Sequence, residues 1–507
     1  MAMGVYSSRM ADLVLGVDVG TTATKLAVAD LAVGVLAEAS ATSTLRSPSA
    51  GWAEENPVEW WGNICGLVPG VLRRAGVEAA SIRALGVSGM VPTLICLDKA
   101  GRPIRPSIQQ NDARAAGEIA EAQCALVKPE VLRRTGSPIS QQSIGPKVLW
   151  LQRHEPDTIA RTHSTCGSYD FIVRCLVGGN AAEANWALES GLYDLTMGDW
   201  AADFCEAFGV ARSWLGTVRT SSEVVGEVQA SEFPELAGTA VVAGCADHVA
   251  NAFSVGLFGP GDLVVELGGA GNVLVASSAP IIDERLYLDF HLIPGVFVPN
   301  GCMATTGSLL RWFQRELAAG TDLEALDREA AAVGIGAGGL VALPYFLGEK
   351  TPINDPLARG VFAGLHLGHT RGHLFRALLE GVGFAVLQHL EVLRDLGLCP
   401  ECVRLTGGGA RSALWRQILA DVLNRPVECA CHLSGSALGA AFAAAVGTGV
   451  VANWDHIKSL VRFSTPTLPD PGRNARYREL FEIYRALYPN ILEQLHALAR
   501  LSLPPSS

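Results

Sequence analysis

Apolar residues run through Leu13-Val-Leu-Gly-Val17, give way to the small, polar Asp18-Val-Gly-Thr-Thr22, and resume over Lys25-Leu-Ala-Val28. A buried strand, a tight turn and a second strand predict a β-hairpin. The same pattern returns in the second half: Leu263-Val-Val-Glu-Leu267, then Gly268-Gly-Ala-Gly271, then Val273-Leu-Val-Ala276. Two such hairpins far apart in one chain point to an internal duplication. Elsewhere the period lengthens. Trp415, Ile418, Leu419, Val422 and Leu423 fall on one helical face, and Arg376–Leu393 carries a long helical pattern. Ser436–Val446 reads as a helix of small residues that can lie close to a neighbour. Strands and helices mix throughout, so the fold class is α/β.

The chain has 507 residues, too many for a single core, so two domains are expected, with Gly244–Gly259 near the midpoint joining them. Hydrophobic residues at 49% against 18% charged fit a packed globular enzyme and exclude a disordered chain. The formal net charge of −11 excludes a broad nucleic-acid surface. It leaves room for a nucleotide, which a few backbone amides and one magnesium ion can hold on an acidic protein. The longest uncharged run, near Ala437–Ala452, is too short and too weakly apolar for a membrane span. The N-terminal segment with Arg9 and Asp12 lacks the apolar stretch of a signal peptide. The 12 cysteines are scattered; Cys429-x-Cys431 reads as the only close pair, with no second pair to complete a zinc site, and free thiols in a reducing cytoplasm are expected.

Several motifs carry chemistry. A phosphate-binding turn needs glycine, so that amides can approach oxygens, and hydroxyls that donate. Gly20, Thr21 and Thr22 supply both, and Asp18 can hold magnesium. An ordinary hairpin with a capping Asp reads equally well. Gly268-Gly-Ala-Gly271 offers amides without a hydroxyl, or is simply a glycine turn. Gly407-Gly-Gly-Ala-Arg411 sits between the apolar Val403–Leu405 and the Trp415 helix, a junction where a nucleotide can lie against backbone. Asp247 follows Val241-Val-Ala-Gly244 and precedes a helical run, so it is either a helix N-cap or an acid with a chemical task.

In order, the chain shows Asp18-Val-Gly-Thr-Thr22, Gly51-Trp-Ala-Glu-Glu-Asn-Pro57 with Trp60-Trp61, Val87-Ser-Gly89 and Asn111-Asp112-Ala-Arg114. Further on come Ala243-Gly-Cys-Ala-Asp247, Leu343-Pro-Tyr345 with Gly348-Glu-Lys-Thr-Pro352, Ala358-Arg-Gly360, and Gly407-Gly-Gly-Ala-Arg-Ser412 running through Trp415-Arg-Gln-Ile-Leu-Ala-Asp421. On these residues it resembles the FGGY family of carbohydrate kinases over nearly its whole length, and its last stretch is most similar to the xylulokinase branch.

The resemblance implies two actin-like, RNase H-like ATPase domains flanking a central cleft, 11–250 on the sugar side and 251–500 on the nucleotide side. It implies ATP and Mg2+, and Asp247 as the catalytic base. Magnesium would lie near Asp18 and Asp247. The nucleotide would take Gly20, Thr21, Thr22, Lys25, Gly268, Gly269, Ala270, Gly407, Gly408, Gly409, Ala410 and Ser412. The sugar would meet Ser88, Gly89, Met90, Gln110, Asn111, Asp112, Glu183, Asn185 and Asp247. Nucleic acid and membrane are not expected partners, and a monomer or a homodimer stays open.

The departures from the branch concern the sugar. Met90-Val-Pro-Thr93 stands where xylulokinases carry Gln-Met-His-Gly after the Ser-Gly. Gln110-Asn111-Asp112 replaces Trp-Asn-Asp, and Ala182-Glu183-Ala184-Asn185 replaces Thr-Asp-x-Ser. Gly269-Ala270-Gly271 replaces Gly-Thr-Ser in the phosphate loop. A D-xylulose kinase is the first expectation, a kinase for another ketose or a polyol the second, and a non-catalytic sugar sensor of the same fold the third. His248 is expected to pack against or tune Asp247. Trp60, Trp61 and Trp312 are expected in packing, and the role of Trp186 stays open.

Overall fold

The computed structural model describes residues 12–431 and 435–501. The chain forms two compact units. One contains the described residues of Met1–Ser254, Asp289–Phe297 and Ser434–Val461, the other those of Val255–Leu288, Val298–Leu433 and Arg462–Ser507.

In the first unit the expected hairpin forms from Leu13–Val19 and Ala23–Asp30, and every residue of its first strand is buried. The turn is shorter than the sequence pattern indicates. Asp18 and Val19 belong to the strand, and the chain reverses over Gly20, Thr21 and Thr22. Ile82–Gly89 runs parallel beside it, with Asp18 opposite Ser88 and Val19 opposite Gly89. Across the sheet the order is Val224–Glu227, Ala240–Val242, Ile82–Gly89, Leu13–Val19, Ala23–Asp30 and Gly34–Thr42. Cys245–Ala246 also pairs with Ile82–Gly89.

The small-residue helix, Gly435–Gly447, packs on this sheet at backbone distance. A Cβ on Gly16 would lie 1.8 Å from the Ala437 carbonyl oxygen, and one on Gly86 would lie 1.9 Å from that of Ala440. Glycine on the strands and alanine on the helix are therefore what allow the two to meet. Trp60 is fully buried and donates its indole N–H to Glu55 at 2.9 Å. Trp61 meets Phe233 edge-on.

The second unit repeats the arrangement. Leu263–Leu267 and Gly271–Val275 form an antiparallel hairpin. Val403–Thr406 lies parallel beside the first strand with Val427–Cys429 beyond it, and Phe297–Met303 lies antiparallel beside the second. In both units the hairpin's first strand has a parallel neighbour and its second strand an antiparallel one, so the duplication read from the sequence is one of topology. Helix Ala413–Leu423 buries Trp415, Ile418, Leu419, Val422 and Leu423, the predicted face. Helix Arg371–Asp395 is covered along most of its length. Its buried Arg376 pairs with Glu380 at 2.8 Å, and the Tyr477 hydroxyl donates to Glu380 at 2.9 Å, so the charge is compensated. Trp312 packs on Phe346.

All 12 cysteines are free thiols. Besides Cys429 and Cys431, Cys399 and Cys402 are closely spaced. Among the described residues neither pair joins a group able to hold a metal ion. No described helix is long and apolar enough to cross a membrane.

Candidate active site

Three parallel strand ends build the centre of the first unit. Ser88 donates its hydroxyl to Asp18 Oδ1 at 3.1 Å and to the Val17 carbonyl at 3.2 Å, which fixes the Asp18 carboxylate on its strand. Cys245 pairs with the same Ser88, and Ala246 with Gly89. Asp247 follows at once and opens helix Asp247–Ser254. The turn into this strand needs Gly244, whose φ is +100° and whose Cβ would lie 2.8 Å from the Val87 carbonyl oxygen. Asp247 Oδ1 accepts the N–H of the next residue, His248, at 2.7 Å. It does not take the amide two or three residues on, as an N-cap would. Its side chain keeps 31% exposure, enough to meet a ligand.

His248 has a definite partner in Asp289. Its Nε2 lies 2.8 Å from Asp289 Oδ2, and its Nδ1 lies 3.6 Å from Asp247 Oδ1. Burial opposes a charge on this imidazole, but Asp289 and then Asp247 outweigh it and raise the group well above the usual histidine range. Glu189 stands beside Asp289, and burial followed by that neighbouring carboxylate raises it well above the usual range. Sequence reading did not find Glu189 or Asp289, since neither sits in a motif. The close approach of His248 and Asp289 spans 41 residues.

The expected sugar residues divide into two sorts. Asp112 is 1% exposed and holds Arg114 through both oxygens at 2.8 Å, while also accepting the amides of Ala53 at 2.6 Å and of Arg114 at 3.0 Å. Burial alone would raise this carboxyl, but Arg114 and the two amides hold it below its ordinary value. Arg114 also bonds Glu54 at 2.7 Å and lies over Trp52, 4.0 Å from the ring centre. Glu183 is fully buried and caps helix Ala184–Glu189. It accepts from Tyr169, Ser221 and the Asn185 amide, each at 2.8 Å, and burial pushes it up to about 7. Asn185 exchanges two hydrogen bonds with the Phe290 backbone, at 2.7 and 3.0 Å. Asp112, Glu183 and Asn185 thus have their polar atoms engaged inside the fold. Trp186, whose role was open, is a fully buried pillar with its indole N–H on the Thr93 carbonyl at 2.8 Å.

Gln110 is of the other sort. Its Oε1 is shut from solvent without a hydrogen-bond partner among the described residues, as are Gln109 Oε1 and Arg114 Nη1. A buried polar atom left unmatched is a point where water, an ion or a ligand can bond. Lys147 is buried close by, donating to the Gln109 carbonyl at 2.9 Å, and burial pushes it down to about 7. Asn111 is exposed, and its carbonyl accepts from the Gln141 side chain. Met90 is buried, its carbonyl taking the Ser168 hydroxyl at 2.7 Å. Gly89 leaves room for that hydroxyl, which a Cβ would approach to 2.6 Å. At the hairpin turn Thr22 and Lys25 are exposed, and the Gly20 amide closes the turn on Ala23 at 3.1 Å.

In the second unit the carbonyls of Gly268, Gly269 and Ala270 turn toward Thr306 and Ser308. Thr306 donates its hydroxyl to Gly268 at 3.0 Å and to Ala270 at 2.8 Å, and Ser308 donates its own to Gly269 at 2.7 Å. With carbonyls committed on one side, planar peptides present amides to the other. Gly407 has φ +86° and would bring a Cβ within 2.6 Å of the Leu267 carbonyl oxygen. Gly408 would meet nothing within 4 Å, whereas Gly409 would strike Trp415 at 2.6 Å and Leu267 at 2.7 Å. Ala410 is buried, and Ser412 caps the next helix by accepting the Trp415 amide at 3.0 Å.

A hairpin sheet built twice, strand-end carboxylates in one unit and glycine turns in the other define the class that comparison with known proteins bears out. Residues 13–254 match the N-terminal domain, and 264–448 the C-terminal domain, of the FGGY family of carbohydrate kinases. The chain belongs to this family. It is a sugar kinase, with ATP and a sugar as its substrates, and its two units have the actin-like α/β fold. A solved xylulose kinase from Rhodospirillum rubrum is 41% identical, with a TM-score of 0.90 over 96% of this chain and 100% of that one. The xylulose kinase of Escherichia coli (strain K12) is 29% identical over 94% of this chain and 99% of its own length. A glycerol kinase from Nocardia farcinica is 30% identical over 91% and 95%.

Proposed function

We propose that this kinase transfers the γ-phosphoryl group of ATP to a hydroxyl of a small ketose, D-xylulose first among them. The observation that carries the reading is the pair of carboxylates, Asp18 and Asp247, at the ends of strands that share Ser88 and Gly89 as neighbours. Asp247 accepts the proton of the attacking hydroxyl, and its partial exposure leaves it reachable. The two carboxylates offer hard oxygen donors, the chemistry Mg2+ prefers, and a bound magnesium ion would neutralise charge on the phosphates. The amides of the Gly268 turn would bind phosphate oxygens, and the open side of Gly408 would admit the adenosine. Gln110 Oε1 would accept a sugar hydroxyl. Twelve free thiols support a reducing compartment, and we place the enzyme in the cytoplasm.

A kinase for another ketose or a polyol is the second reading. Pro92, standing where xylulokinases carry a polar side chain, has neither an N–H nor a polar side chain to offer. The likeness to a glycerol kinase supports this reading too. ADP release measured side by side with D-xylulose, D-ribulose, L-ribulose, L-xylulose and short polyols decides between the two. An efficient D-xylulose turnover above the others supports the first reading, and preference for any other acceptor overturns it.

A further inference from the structure

We propose that Glu189, His248 and Asp289 form a binding site for a divalent metal ion of borderline ligand preference, such as Zn2+, in addition to the magnesium of the nucleotide. The three side chains come from separate segments: the end of helix Ala184–Glu189, the start of helix Asp247–Ser254, and strand Tyr287–Phe290. One donor atom of each lies within 4.8 Å of the other two. The 2.8 Å between His248 Nε2 and Asp289 Oδ2 is a hydrogen bond in the metal-free protein, and opening it by about 0.6 Å gives the roughly 3.4 Å that separates tetrahedral ligands on bonds of about 2.1 Å. Glu189 Oε1 is sealed from solvent and has no hydrogen-bond partner among the described residues. A buried acceptor without a donor is unfavourable, and a cation that displaces the His248 proton would keep positive charge between the two carboxylates.

One imidazole with two carboxylates sets the preference. Imidazole is a poor ligand for Mg2+ and Ca2+, and carboxylates are poor ligands for Cu+, which leaves the Zn2+ class between them. The spacing is prepared by the backbone. Asn185, on the same helix as Glu189, holds the Phe290 backbone next to Asp289 from both sides. Three protein ligands leave coordination positions open for water. A bound ion would clip the Asp289–Phe297 segment to both helices. The site does not depend on which sugar is phosphorylated.

The test uses the full-length protein, treated with chelator and titrated with zinc chloride alone by calorimetry, with thermal unfolding followed in parallel. We expect one Zn2+ per chain, a higher unfolding temperature with zinc, and an anomalous diffraction peak at the zinc edge among the three side chains. Glu189→Gln and Asp289→Asn should each weaken zinc binding by at least about tenfold, while Asp18→Asn should leave it unchanged. If one variant fails to fold, the other and the anomalous map decide. The absence of saturable zinc binding, a peak elsewhere, or full affinity in a folded Glu189→Gln or Asp289→Asn variant would overturn the proposal.

Discussion

Gly408 and Gly409 are neighbours in one turn, yet a side chain added at each meets a different world. At Gly409 it strikes Trp415 and Leu267, and at Gly408 it meets open space. Gly409→Val is therefore expected to lower the unfolding temperature, since the collision lies in the core. Gly408→Val is expected to fold normally and to raise the KM for ATP, not for sugar. An unchanged nucleotide affinity in Gly408→Val would place the adenosine elsewhere. Gln110→Ala should raise the KM for the sugar about tenfold, in line with the loss of one buried hydrogen bond, and leave that for ATP alone. Lys147 adds a pH dependence. Burial lowers it from 10.5 to about 7 in the folded chain, so the unfolded chain binds the extra proton between these values. Stability from this group is fully present above about pH 10.5 and is lost as pH falls toward 7. Urea unfolding of Lys147→Met should lack this slope relative to the parent protein between pH 7 and 9. Parallel profiles would show that Lys147 titrates normally.

At the scale of elements, the helix Gly435–Gly447 depends on the absence of side chains beneath it. Gly86→Ala would place a Cβ 1.9 Å from the Ala440 carbonyl oxygen, and overpacking of this kind destabilises by about 1–3 kcal/mol. Gly66→Ala, in helix Pro57–Ala75 with nothing within 4 Å of the new Cβ, should instead stabilise by about 0.5–1 kcal/mol. Thermal unfolding of the two variants reads both signs, and equal effects would contradict this packing account. The hairpins and the Trp415 helix were legible in the sequence because periods of two and 3.6 residues are local. The partner of the small-residue helix was not, since a run of alanine and glycine announces close approach but not what it approaches. For the same reason the pairing of Asp112 with Arg114 was not legible. The motif residues were visible, but the hydrogen bonds that occupy them join distant segments such as Ala53. Glu189 and Asp289 left no signal, because only folding brings them to His248.

For the molecule as a whole, family membership follows from matches spanning 13–254 and 264–448, while the proposed chemistry turns on the carboxylates Asp18 and Asp247. Asp247 is where the sequence motif, the Gly244 turn and a partly exposed acid at a strand end coincide. The most direct measurement is ADP release by Asp247→Ala at saturating ATP and acceptor sugar, with ATP affinity measured by calorimetry on the same preparation. A fall in kcat of roughly 10²–10⁴-fold is expected, the range for removal of a general base, with ATP binding largely retained. Near-normal turnover in a correctly folded Asp247→Ala protein would contradict it.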